Sequence, residues 1–315
     1  MSAARWAGAS AVHRGASHIR SGLPCQDAVG VAWAGLPVVA AVADGLGSAS
    51  QSDAGAEVAV ATAIHLLESR FVEFRDKAPA LIAEAIVSGV VERIEEMARS
   101  NGSSRHQFAT TLMFVATDGH TLIAGNLGDG VVSRQDRDGK SKVLFRPRRG
   151  EHVNETFPIT SSGAAAHMQV MIEPVADATG FALFTDGSAE ALYQRQRDEI
   201  APAVDTLLSW LDVAPPHEVS AALTRSLSDV VSEKTSDDCS IAILRRVELL
   251  RIGVDKQSVR ACMISANPRS RTHFLNRWRS FEFWDSASPG TPAGMSQSTY
   301  RRHVEWLNRN IVRDS

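Results

Sequence analysis

LPVVAAVADGLGSASQSDAG, Leu36 to Gly55, decides the reading of this chain. An apolar run, Leu36–Ala43, ends on a single aspartate, Asp44. Val38–Ala43 has the length and residue types of a buried strand. Gly45 and Gly47 then flank Leu46, and small polar residues lead into a helical pattern. Ala56, Ala59, Val60, Ala63, Leu67 and Phe71 recur at helix spacing, with Ser52 or Asp53 placed to cap the first turn. A carboxylate therefore stands at the mouth of a strand, on a turn where glycine lets the backbone approach a ligand closely. The Gly-x-Gly is no dinucleotide fingerprint, because Ser50 stands where the third glycine belongs.

The same design recurs along the chain. FALFTDGSAEAL places Asp186-Gly187 between an apolar run and a helix. LIAGNLGDG ends a strand near Asp129, between Gly128 and Gly130. SDDCSIAIL sets Asp237 and Asp238 before one strand, and LPCQDAVGVAW sets Asp27 before another. Strands are expected at Val38–Ala43, Thr111–Ala116, Thr121–Asn126, Phe181–Thr185 and Ser240–Leu244, with Asp118-Gly119 as a hairpin turn. Leu81, Ala85, Val90, Ile94 and Met97 mark a second long helix, with Pro79 at its start. Further helices are expected at Ser188–Gln196, Pro202–Leu211 and His217–Val231. Strands and helices come in blocks, which favours antiparallel sheets covered by helices, an α+β fold.

Aspartates at five strand ends can converge on one rim. Clustered carboxylates raise one another's pKa and do not all stay ionised unaided. Divalent cations remove the conflict, and an all-oxygen ligand set suits Mg²⁺ or Mn²⁺ rather than zinc. The ten histidines show no HExxH or HxxxH spacing, and no Gly-x-Ser-x-Gly elbow is present.

CQDA at 25–28, VADGLGS at 42–48, FATTL at 108–112, NLGDG at 126–130, FTDGSAE at 184–190 and SDDCSIAIL at 236–244 occur in this order. Together they resemble the metal-dependent Ser/Thr protein phosphatases of type 2C, and within them the bacterial branch with a His…Cys-Gln-Asp start, here His18…Cys25-Gln26-Asp27. The resemblance spans roughly residues 8–246 and implies a four-layer α-β-β-α sandwich, two antiparallel sheets flanked by helices. It implies a phosphatase domain over 1–246 followed by a C-terminal extension, 247–315. It implies that Asp44 bridges two cations, that the Gly45 carbonyl holds one, and that Asp186 and Asp237 complete the other. Asp129 with Asp186 would form a weaker third site, and Asp27 would act through ordered waters, beside Asp44, in catalysis. The implied reaction is hydrolysis of phosphoserine or phosphothreonine on proteins by a hydroxide bridging the two ions. A phosphorylated protein is then the substrate, and a Ser/Thr kinase the opposing enzyme.

The departures from the family pattern are specific. Gln26 replaces a frequent glutamate, Leu46 replaces a histidine that animal members use as a candidate acid, and Gly130-Val131 replace Ser-Arg. The usual phosphate-gripping arginine is out of register, leaving His18 or Arg20 as substitutes. A catalytically weak module that binds a phosphoprotein partner is the alternative reading. Thr110 and Thr111 read as strand residues hydrogen-bonding beneath the site, and Cys25 and Cys239 as small apolar residues.

Hydrophobic residues make up 44% of the 315 residues and charged ones 22%, as in soluble globular proteins. No apolar stretch approaches the ~20 residues of a membrane span, and the N-terminus lacks a secretory pattern. Three cysteines argue against a disulfide scaffold, so a cytoplasmic location is expected. From Arg245 on, 13 Lys and Arg face 6 Asp and Glu, a balance of +7, against −10 for the preceding residues. This basic extension carries Trp278, Trp284 and Trp306 and an amphipathic pattern through Tyr300, Val304, Leu307 and Ile311. It suits docking onto a partner or onto the acidic body, or plain packing. The acidic body argues against nucleic acid.

Overall fold

The apolar run that ends at Asp44 has no polar face because both of its faces are covered. The computed structural model describes residues 4–145 and 157–248, apart from 176 and 213. Strand β1 (Ala4–His13) leads through helix α1 (Ala16–Ser21) to β2 (Asp27–Ala32) and β3 (Val38–Asp44). Long helices α2 (Ser52–Phe74) and α3 (Pro79–Ser100) follow, then β4 (Leu112–Thr117), β5 (Thr121–Leu127), β6 (Val131–Asp136) and β7 (Ser141–Phe145). The second half contributes α4 (Ala164–His167), β8 (Gln169–Pro174), β9 (Ala178–Phe184) and α5 (Asp186–Leu192). A short ribbon, β10 (Tyr193–Gln194) with β11 (Glu199–Ile200), precedes α6 (Pro202–Trp210), α7 (Pro216–Ser226) and β12 (Cys239–Glu248).

Two five-stranded antiparallel sheets form, in the orders β2-β3-β4-β5-β8 and β1-β12-β9-β6-β7. Val39, Ala41 and Ala43 of β3, with Leu112, Phe114 and Ala116 of β4, pack under α2 and α3. The alternate residues, Val38, Ala40, Val42, Met113 and Val115, meet Phe181, Leu183, Ala242 and Leu244 of the other sheet. Ile241 and Ile243 of β12 turn outward onto α6 and α7. Three apolar interfaces between four layers give the expected sandwich. They also explain why β3 and β4 are continuously apolar although antiparallel.

Several boundaries differ from the sequence expectation. Ser52 is the first residue of α2 rather than its cap, its hydroxyl is buried without a partner, and Gln51 at the cap position makes no side-chain capping bond, its Oε1 accepting instead from Asn101 Nδ2 at 3.1 Å. Pro79 opens α3 as expected. The expected helix at Ser188–Gln196 starts earlier, at Asp186, and ends at Leu192 where the ribbon begins. The expected helix to Val231 is α7 followed by a π turn, Leu227–Val231. Asp118 Oδ1 accepts from the backbone N–H of His120 and Thr121, and Gly119 takes φ +90°, closing the β4–β5 hairpin. Strand β12 runs through Glu248, and the expected extension beyond it lies outside the described residues. Among the described residues no helix is long and apolar enough to cross a membrane.

Candidate active site

Strand register brings the aspartates together. Asp27 and Asp44 lie directly opposite each other on β2 and β3. In the facing sheet, Val131 of β6 and Ile241 of β12 both pair with Phe184 of β9. Asp129 stands two residues before Val131, Asp186 two after Phe184, and Asp237 four before Ile241. All five thus reach the same end of the sandwich. Carboxylate oxygens of Asp44, Asp129 and Asp186 lie within 4.8 Å of one another. They line a cavity with Ser17, His18, Gln26, Gly45, Leu46, Gly47, Ser236 and Asp237.

The backbone around Asp44 is clamped from β4. Its N–H donates to Thr111 Oγ1 at 2.9 Å, and its carbonyl accepts from the Thr111 N–H at 2.8 Å and from Thr110 Oγ1 at 2.9 Å. Thr110 and Thr111 therefore do hydrogen-bond beneath the site. Gly45 is compulsory: a Cβ there would sit 2.7 Å from the Ser52 carbonyl oxygen and 2.8 Å from that of Gln26. Gly187 likewise lets the start of α5 press on the Asp238 carbonyl, where a Cβ would come within 2.1 Å.

Electrostatics mark the cluster as poised for cations. Burial, then the charges of Asp27, Asp186, Asp129 and Asp237, push the Asp44 carboxyl well above the usual carboxylate range. Burial and the charges of Asp129 and Asp237 raise Asp186 to about 6. Asp27 is raised to about 8 by burial and by Asp238 and Asp186, against a 2.7 Å hydrogen bond from Thr185 Oγ1. Gln26 Oε1 is buried at the cavity wall with no hydrogen-bond partner. Mutually repelling carboxylates and an orphaned amide oxygen fit a hard divalent cation.

Of the two phosphate-contact candidates, His18 lines the cavity, whereas Arg20 is exposed on α1 and does not. Asp27 lies behind the lining, buried and bonded to Thr185. Sequence reasoning noted Asp238 but gave it no role. It is 3% exposed and accepts three bonds, from the Gly15 N–H at 2.6 Å, the Gln26 N–H at 2.6 Å and His18 Nδ1 at 2.7 Å. Cys239 and Arg245 have the Cys-x5-Arg spacing, yet both lie on β12, about 20 Å apart on an extended strand. Arg245 is bound to Asp212, and burial raises the Cys239 thiol to about 12, so this pair forms no cysteine-phosphatase loop.

The sequence profile described as protein phosphatase 2C matches residues 14–228. The serine/threonine-protein phosphatase 3 of Escherichia coli K12 is 28% identical over 239 residues, covering 73% of this chain and 94% of that protein. The catalytic domain of the phosphatase PstP, solved in complex with two manganese ions, superposes with TM-score 0.54 at 16% identity. That match covers 78% of this chain and all of PstP's. PppA of Pseudomonas aeruginosa, described as a key regulatory component of T6SS, gives 0.51 at 18% identity over 78% of this chain and all of its own. With its profile matched over more than half its length, this chain belongs to the protein phosphatase 2C family.

Proposed function

We propose that this chain is a divalent-cation-dependent phosphatase that removes phosphate from serine and threonine residues of proteins. The observation that carries this is the convergence of Asp44, Asp129 and Asp186 within 4.8 Å in one cavity that Asp237 and Gly45 also line. Asp44, the Gly45 carbonyl, Asp186 and Asp237 would hold two Mg²⁺ or Mn²⁺ ions, and Asp129 with Asp186 a third. The ions supply Lewis acidity toward phosphoryl oxygens and activate water at neutral pH.

The chain's own residues do the rest. Thr110 and Thr111 hold Asp44 at a fixed height above the cavity floor. Asp27, fixed by Thr185, sits behind Asp44 as an acceptor for ordered water. His18, which lines the cavity from α1, would face the substrate phosphoryl group. A cavity whose ionisable wall is nearly all carboxylate repels a phosphate dianion until cations are bound, so substrate binding is ordered after metal.

The test is hydrolysis of a phosphothreonine peptide across a Mn²⁺ and a Mg²⁺ titration, beside Asp186→Asn. Turnover that requires the cation and falls at least about a hundredfold in the variant is expected. Folded wild-type protein that binds the phosphopeptide but never turns it over would move the reading to a binding module.

A further inference from the structure

The cavity wall holds many acceptors and few proton donors. Hydrolysis of a serine or threonine phosphate expels an alkoxide, a strong base that needs a proton as it leaves. Leu46 occupies the turn between the two motif glycines and offers none. Among the described residues lining the cavity, the titratable groups are His18 and four aspartates, Asp44, Asp129, Asp186 and Asp237. The aspartates are assigned to the cations. His18 is the remaining group able to carry a transferable proton.

Its geometry is tightly fixed. Asp238 Oδ2 lies 2.7 Å from His18 Nδ1, and the Asp238 carboxylate is itself immobilised by the Gly15 and Gln26 N–H groups. Ser17, next in sequence, bonds the Ser236 carbonyl through both its N–H and its hydroxyl. Arg14 Nη2 donates to the His18 carbonyl at 3.0 Å. A short helix is thus pinned at three points, and its imidazole has one nitrogen committed to a buried carboxylate. Nε2 is the nitrogen left for the cavity. A carboxylate acceptor fixes the proton on Nδ1, so a second proton on Nε2 makes the ring cationic, with Asp238 as its counter-charge. Among the described residues, Asp238 meets its Nδ1, Arg14 meets its carbonyl, and the four cavity aspartates line the same cavity.

We propose that His18 is the general acid of the reaction and that Asp238 is its positioning residue, an inference that rests on the phosphatase reading above. Water adds to phosphorus while the bond from phosphorus to the serine or threonine oxygen breaks, its electron pair going to that oxygen. The Nε2 proton passes to the same oxygen and releases the alcohol. The proton shed by the attacking water returns to Nε2, and the products are the free hydroxyl residue and hydrogen phosphate.

Leaving-group dependence tests this. A phosphothreonine peptide needs the proton, whereas p-nitrophenyl phosphate expels a weakly basic phenolate that does not. At saturating Mn²⁺, His18→Gln is expected to lower kcat on the peptide about 10²–10³-fold and on the aryl ester less than about tenfold. Asp238→Asn reproduces the same split, and added imidazole restores peptide turnover to His18→Ala. Equal losses on both substrates, a raised KM at unchanged kcat, no rescue by imidazole, or loss of calorimetric Mn²⁺ binding in His18→Gln would each overturn it. A wild-type protein inert on both substrates would instead remove the phosphatase reading itself.

Discussion

Asp44→Asn separates a cluster built for cations from one that is merely acidic. Oxygens of Asp44, Asp129 and Asp186 lie within 4.8 Å. At an effective dielectric constant of about 20, two unit charges at that separation repel by ~3 kcal/mol. Burial first, and then this repulsion, raises the Asp44 carboxyl, so the folded protein keeps a proton there. A carboxyl raised in the folded state binds its proton more tightly there than in the unfolded chain. Its stabilisation is complete below the unfolded value of about 4 and is lost as pH rises through the folded value. Asparagine is permanently neutral at that site. In chelator at pH 4 the variant and wild type should therefore melt close together. At pH 8 the variant should be the more stable by about 2–3 kcal/mol, a rise in Tm of roughly 4–10 °C. Saturating Mn²⁺ reverses the order, since at a thousand times Kd it adds about 4.1 kcal/mol to wild type and little to the variant. Differential scanning calorimetry from pH 4 to 8, with and without cation, reads all four corners. A metal-free variant that melts below wild type at pH 8, or a gap that ignores pH, would refute the cluster's electrostatics.

Because Asp27 and Asp186 are raised to about 8 and about 6, cation binding near pH 7 should expel on the order of one proton, and affinity should rise with pH. Calorimetry in two buffers of different ionisation enthalpy measures this, and zero release or falling affinity would contradict it. Gly45→Ala forces a Cβ against the Ser52 and Gln26 carbonyls, so about 1–3 kcal/mol of stability and at least tenfold in Mn²⁺ affinity should be lost together. Unaltered Mn²⁺ affinity would show that this turn does not set the site. Deleting Pro289–Ser315 from the basic extension should change turnover or its salt dependence if that segment docks on the acidic body. Identical kinetics from low to high salt would sink the docking idea.

What the sequence reveals here follows from what local chemistry can encode. The run at 38–43 and the glycine turn after Asp44 announce their conformations, and so do the Asp-Gly hairpin and Pro79 at the start of α3. Strand β1, ARWAGASAVH, does not. Its alanines and glycine have little strand preference, and it is a strand because β12 pairs with it along all ten residues. Polar β6, VVSRQD, is held by β7 and β9 on either side. The site divides the same way. Asp44, Asp129, Asp186 and Asp237 share a visible pattern, one aspartate at each strand end. Asp237 and Asp238 are chemically identical neighbours, and nothing local says which one faces the cavity. That is decided by Gly15 and Gln26, more than two hundred residues away, whose N–H groups bind the Asp238 carboxylate and bury it. Burying a charge in this way is costly unless donors surround it, and the third donor is His18. The long-range contact that hid Asp238 from sequence reasoning is the same one that aims His18. Variants at Asp238 and His18 should therefore fail in the same way on the same substrate, although one side chain lines the cavity and the other lies buried behind it.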